Sequence, residues 1–335
     1  MHDPGSVERF GALIAPVEVG DFVAATAAGK RLLLRGEAPR FATLLDWPAV
    51  NAILDSDRLA VEEQHADVRL FRHGVAISSR FWFAPFPRPR INPTALCDLL
   101  RQGATLIING IHGMHPPLLR LRNDLSVILR ARVWINAYLT FGPGFGFDPH
   151  FDDHDVIVAQ VSGAKYWRLY DQPEHLPTPE TVAEWGKLDR TVDMPVEEFP
   201  LNSGDLLFVP RGEWHGAHNV GAGEVPSVHL TIGVQPVRGV DLVHALRRRA
   251  IGNPLFRQDA PRLAGERAAG EHLHELKQAL HALVAEIDLA DLVPNARTGN
   301  VSRLDFERHG QELKDISLGA DRVGPPHFHL PDLRR

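Results

Sequence analysis

Two histidines and one aspartate in this sequence are spaced so that they could hold a metal ion. His150-Phe151-Asp152 forms a His-x-Asp triplet. In an extended segment, side chains at i and i+2 share a face, so an imidazole and a carboxylate converge while Phe151 and Asp153 point away. A third donor can come from Ser203-Gly204-Asp205-Leu206-Leu207-Phe208-Val209-Pro210-Arg211-Gly212-Glu213-Trp214-His215. That run reads as a strand, a tight Pro/Gly turn, and His215 at the start of the next strand. Two imidazoles and one carboxylate on a single face leave three coordination positions open, the arrangement that non-haem Fe(II) oxygenases use. Cys97 is the only cysteine, which excludes a closed Cys-rich zinc site. A His-x-Asp triplet also arises by chance. By spacing alone His154, His218 and His229 remain rivals for a ligand role, and His154 shares the His150 face if the strand stays regular.

Such a triad needs a stiff β framework, and the flanking sequence supplies the pattern for one. Short apolar or alternating segments recur at 31–35, 67–72, 104–109, 133–140, 156–161, 166–170, 205–209 and 228–234, each bounded by turn formers. Helices are expected over 93–102 and 117–129. Many short strands with long excursions predict a barrel or jelly roll. The alternating βα rhythm of a doubly wound sheet is absent, and so are GxGxxG and Walker A motifs. Three regions follow: a mixed N-terminal segment packing on the barrel (1–62), a catalytic barrel (63–238) and a helical C-terminal region with a tail (239–335). In the last, Leu273, Leu276, Leu280 and Leu283 recur with helical spacing. An appended amphipathic helix pair predicts a homodimer.

Composition narrows the function classes. At 44% hydrophobic and 23% charged residues the chain reads as globular. No run of about 18 apolar residues predicts a membrane span, and no secretory signal is visible at the N-terminus. One cysteine permits no intramolecular disulfide, which suits a reducing cytoplasm, where iron also stays ferrous. A net charge of −6 argues against nucleic acid as the direct substrate.

The run Asn136-Ala137-Tyr138-Leu139-Thr140, a glycine-rich loop over 142–147, Pro149-His150-Phe151-Asp152-Asp153-His154-Asp155-Val156 and Gln160–Tyr170 resembles the JmjC-type ribosomal oxygenases. These are a cupin-like subgroup of 2-oxoglutarate-dependent protein hydroxylases. The Gly204–His215 run, His229–Gly233 and the early Gly29–Leu34 fit the same family, so the similarity spans about residues 15–238. It implies a mainly β double-stranded β-helix (cupin or jelly roll) with flanking helices, and Fe(II), 2-oxoglutarate and O2 as cofactor and co-substrates. It implies His150, Asp152 and His215 as iron ligands, Lys165 as the cation for the distal carboxylate of 2-oxoglutarate, and Asn136, Tyr138 and Thr231 in the co-substrate pocket. The implied reaction hydroxylates a protein side chain, histidine or arginine, with a ribosomal protein as the implied partner. A hydroxylase of a biosynthetic peptide or small molecule, and a non-catalytic cupin-fold binding protein, are the alternatives. The loop over 141–147 is richer in Gly and Phe than the family's pattern.

Overall fold

The alternating segments assemble, in a computed structural model of the chain, into two antiparallel sheets. The structure describes residues 4–56, 67–84, 90–142, 144–171, 174–185, 195–219, 225–259 and 265–288, with the single positions 59 and 292. One compact unit holds the described residues of 4–129 and 133–235. A second holds those of 130–132 and 236–292.

In chain order the first unit opens with α1 (Pro4–Ile14), α2 (Val19–Ala27), β1 (Leu32–Leu34) and α3 (Trp47–Leu54). There follow β2 (Val68–Arg72), β3 (Val75–Ile77), β4 (Phe83–Ala84), β5 (Arg90–Ile91), α4 (Pro93–Arg101), β6 (Thr105–Ile108) and α5 (Pro116–Ile128). The barrel is completed by β7 (Ala131–Thr140), β8 (Gly144–His150), β9 (Asp155–Ser162), β10 (Ala164–Leu169), α6 (Pro179–Trp185), β11 (Glu197–Asn202), β12 (Leu206–Val209), β13 (His215–Asn219) and β14 (Ser227–Pro236). The larger sheet has the order β1-β12-β9-β14-β7-β6-β2-β3 and the smaller one β11-β10-β13-β8; β4 and β5 pair separately. Apolar residues on alternate positions, among them Val156, Val158, Trp167, Leu169, Leu201 and Leu207, form one buried cluster between the two sheets. This is the jelly-roll arrangement expected from the strand pattern.

Local chemistry explains the helices. The Asn92 side chain accepts a hydrogen bond from the Ala95 amide, Pro93 occupies the first turn, and Leu96, Cys97 and Leu100 are buried on one face of α4. Asp46 caps α3 in the same way through the Ala49 amide. No single helix among the described residues is long and apolar enough to cross a membrane.

Helix α1 is tied to α5 by a polar knot. Arg9 Nε and Nη2 each donate to the Asp124 carboxylate at 2.7 Å, and Ser6 Oγ donates to it at 2.7 Å. Burial alone would raise the Asp124 carboxyl, but the bonds from Arg9 and Ser6 outweigh it and hold the group below its ordinary value. A depressed carboxyl stabilises the fold above the unfolded value near 3.9, and that contribution is lost as pH falls through the folded value. Asp124→Asn is therefore expected to cost about 1–2 kcal/mol at pH 7, discounted because Arg9 is half-exposed. Urea unfolding should show the gap narrowing below about pH 4; an undiminished gap there contradicts the assignment.

The structure corrects two expectations. The glycine-rich stretch read as a loop contributes its backbone from Gly144 onward to β8, an edge strand paired with β13. Glycine weakens a strand, but pairing with β13 overrides that weak local preference. Strand β8 also ends at His150, so Asp152 and His154 lie in the segment that follows rather than on a continuous strand. The second edge of the smaller sheet, β11, contains Pro200 and pairs with β10 alone, a position where a missing N–H is tolerated.

In the second unit, α7 (Gly239–Gly252) and α8 (Gly265–Glu286) pack on each other. Ala245 is buried, while Val243, Ile251, Leu273 and Val284 are exposed. The tail expected from about residue 293 lies outside the described residues.

Candidate metal centre

Two of the three predicted metal ligands are set by a β ladder. Strands β8 and β13 run antiparallel with His150 directly opposite His215, and the two imidazole centroids are 4.6 Å apart. The other neighbour of β13 places Leu169 of β10 against His215, so the pair faces the space between the sheets. Asp152 follows the end of β8. Its carbonyl accepts the Gly212 amide at 2.8 Å, and its Oδ2 lies 3.7 Å from His215 Nε2. One donor atom from each of His150, Asp152 and His215 lies within 4.8 Å of the other two.

The turn that delivers His215 depends on glycine. Gly212 has φ of +82°, and a Cβ there would meet the Glu174 carbonyl oxygen at 2.1 Å. Beyond the turn, His215 Nδ1 lies 2.9 Å from the Glu213 carbonyl. A carbonyl only accepts, so Nδ1 carries the proton and the lone pair of Nε2 faces Asp152. Burial, reinforced by the neighbouring His150, pushes His215 down to about 4. It is neutral at pH 7, so the approach to Asp152 is not an ion pair. Two electron-pair donors face each other there, and with His150 they make a donor set suited to a cation. The Glu213 side chain pairs with Arg31.

Deeper in the barrel lies a buried cation. Lys165 is 3% exposed, and its one hydrogen bond among the described residues, from Nζ to Thr140 Oγ1, is long at 3.4 Å. No carboxylate among the described residues pairs with it, and burial pushes its ammonium down to about 8. His229 lies beside it; its buried Nδ1 has no hydrogen-bond partner among the described residues, and burial followed by the Lys165 charge holds the ring well below its ordinary value. Tyr138 stacks on His229 at 4.9 Å. Burial first, then the Asp152 charge, raise the Tyr138 phenol to about 12, while a bond with Asn136 opposes them. Asn136 Oδ1 in turn accepts the Gly110 amide at 2.9 Å. Thr231 occupies the position after next to His229 in β14, on the same face. A buried ammonium and an unpartnered imidazole nitrogen fit an anionic ligand.

The rival histidines separate cleanly. His154 Nδ1 is 2.9 Å from Asp153 Oδ1, and its ring packs on Trp134 at 4.6 Å. The Trp134 indole in turn occupies the space above Gly233, where a Cβ would lie 2.2 Å from the ring. His218 packs near Tyr166, with Nε2 3.8 Å from Glu198. Neither joins the triad. Thr140 was visible in the sequence only as a same-face neighbour of Asn136 and Tyr138. The Gly110–Asn136 bond spans 26 positions and leaves no local signal. Asp205 of the Gly-Asp pair turns out to be a turn anchor: its carboxylate accepts from the Gly36 and Asn202 amides and from Arg35. A separate cavity of about 250 Å³, lined by Leu45, Trp47, Val161 and Val228 among others, shares no residue with the triad.

Residues 115–242 match the JmjC domain family. The bifunctional lysine-specific demethylase and histidyl-hydroxylase NO66 of Aedes aegypti is 27% identical over 228 residues, covering 68% of this chain and 34% of that protein. Ribosomal oxygenase 2 of Mus musculus is 35% identical over 136 residues, covering 40% of this chain and 28% of that protein. The chain thus spans about a third of the length of the curated relatives it matches. Among solved structures, the ribosomal oxygenase YcfD of Escherichia coli in complex with cobalt and 2-oxoglutarate superposes with a TM-score of 0.55. Its sequence identity is 15%, and the match covers 81% of this chain and 68% of that one. That likeness is one of fold.

Proposed function

We propose, from a chain whose residues 115–242 belong to the JmjC domain family, that it is an Fe(II)- and 2-oxoglutarate-dependent oxygenase that hydroxylates a protein side chain. The observation carrying this reading is the convergence of His150, Asp152 and His215 within 4.8 Å, in a barrel that also buries a lysine with no carboxylate partner among the described residues.

His150, Asp152 and His215 would hold the iron, leaving half of its coordination sphere for ligands that are not protein. When bound, iron with 2-oxoglutarate and O2 supplies oxidation of a C–H bond to an alcohol, with succinate and CO2 as co-products. The protein's own residues do the positioning. The Glu213 carbonyl fixes the His215 tautomer. Lys165 offers its ammonium to the distal carboxylate, and the hydroxyls of Thr140, Tyr138 and Thr231 are within the same interior wall as hydrogen-bond donors. Asn136, held by Gly110, orients the Tyr138 phenol.

A histidine or arginine side chain of a ribosomal protein is the substrate we favour; the likeness to a histidyl-hydroxylase and to ribosomal oxygenases supports it. Within this reading residues 63–238 form the catalytic barrel, with 1–62 packing on it. The α7–α8 pair, with its exposed Val243, Leu273 and Val284, would join a second copy, and the cytoplasm is the compartment. Incubating cell extract with the protein, Fe(II) and 2-oxoglutarate should give succinate and a peptide heavier by one oxygen atom in mass spectrometry. Succinate formation without any modified peptide would remove the protein substrate; no succinate under any condition would remove the activity. Light scattering at the monomer mass would remove the dimer.

A further inference from the structure

The two histidines of the triad are registered by the β8–β13 ladder, whereas Asp152 lies beyond it, on a four-residue arch between His150 and β9. Two consecutive amides of the His215 turn grip that arch and the residue that follows it. Gly212 N donates to the Asp152 carbonyl at 2.8 Å, and Arg211 N donates to Asp155 Oδ1 at 2.9 Å. The turn is held from its other side as well: Glu174 N donates to the Gly212 carbonyl at 2.7 Å and Tyr170 N to the Trp214 carbonyl at 3.0 Å. Asp155 is half-buried and opens β9. Its carboxylate therefore spans the distance between the arch that presents the acidic ligand and the turn that presents the buried histidine.

We propose that Asp155 is a positioning residue for the metal centre: by accepting the Arg211 amide it fixes the approach of Asp152 toward His150 and His215. This rests on the iron reading above. A carboxylate ligand that follows the end of its strand is not held by the ladder that registers a strand residue. The two bonds to adjacent amides restrain it, one acting on the backbone of the ligand itself and one three residues further on. The Arg211 amide asks for an acceptor at the Oδ1 position, which the side-chain amide of asparagine also supplies.

Cobalt(II) alone, titrated into the full chain and followed by calorimetry and by its d–d absorption, tests this without turnover. Asp155→Ala should weaken cobalt binding roughly 10–100-fold, the range typical of outer-sphere partners of a metal ligand, and alter the absorption band. Asp155→Asn should restore wild-type binding and band shape. Asp124→Ala, which cuts the α1–α5 knot instead, should lower thermal stability and leave cobalt affinity unchanged. Equal weakening in Asp155→Ala and Asp124→Ala would reduce Asp155 to a stability role and overturn the proposal, as would wild-type affinity in Asp155→Ala. If Asp155→Ala does not fold, Asp155→Glu decides, because it moves the acceptor outward by a methylene: weaker binding supports positioning and unchanged binding overturns it. Failure of the wild-type chain to bind cobalt would instead bring down the metal site on which the proposal stands.

Discussion

Alanine at Asp152 or at His150 is expected to abolish iron-dependent turnover while the chain still folds. Each removes one of three donor atoms that lie within 4.8 Å of one another. The loss should exceed the roughly 10–100-fold that removing an outer-sphere partner costs, and succinate formation is the measurement. Folding should survive because neither side chain is part of the apolar cluster between the sheets. Asp152 retains 30% side-chain exposure, and its Oδ2 faces the lone pair of a neutral imidazole, an arrangement that contributes nothing to the stability of the metal-free chain. Thermal unfolding of the apo variants should therefore match the wild type within a few degrees. Unchanged turnover in either variant would strike that residue from the triad. Collapse of the apo fold would show instead that the residue serves the barrel rather than the ion.

Lys165→Met should do two opposite things at once. It should raise the 2-oxoglutarate requirement on the order of 10–100-fold, the worth of a charge-assisted bond to the distal carboxylate, with a much smaller effect on metal affinity. It should also make the ligand-free protein more stable. The ammonium is held at about 8 against an ordinary 10.5 by burial, a difference worth about 3 kcal/mol. The sign follows from proton counts. Below about pH 8 both folded and unfolded states carry the proton, so the full cost of burying the charge is present. Between 8 and 10.5 the unfolded chain binds more protons, so wild-type stability rises with pH. Methionine fills a similar volume without the charge. Its advantage in unfolding free energy should be largest near pH 7.5 and shrink toward pH 10.5. A methionine variant less stable than wild type at pH 7.5 would show that the lysine has a counter-charge in the ligand-free protein.

Much of this site was legible because strand alternation and turn chemistry are local. His150 and Asp152 at i and i+2, and His215 after a Pro/Gly turn, carry their geometry in their spacing, although β8 stops at His150 and the arch that follows is set by contacts with residues 211 and 212. Lys165 could be assigned only through family resemblance, since a lysine between alanine and tyrosine looks no different when it is exposed. What sequence could not supply were long-range pairings. The Gly144–His150 strand was hidden because its glycines carry no side-chain alternation. His154, His218 and His229 could not be ranked either. His229 proved to face the barrel interior against Tyr138 and Lys165, while His218, on the other face of its strand from His215 and Ala217, points toward Glu198. The Gly-Asp pair at 204–205, read only as part of the run leading to His215, is an anchor: its carboxylate ties the start of β12 to the segment before α3.

The ladder between β8 and β13 breaks register twice, between His215 and Ala217 and again between Ala217 and His218, and β8 is the outermost strand of its sheet. An ion shared by His150 and His215 would therefore also be a cross-link, riveting an irregularly registered edge strand to its neighbour. Stripping the metal would loosen β8 and bare the edge of β13 to pairing with another chain, so chelation should make the protein sticky as well as inactive.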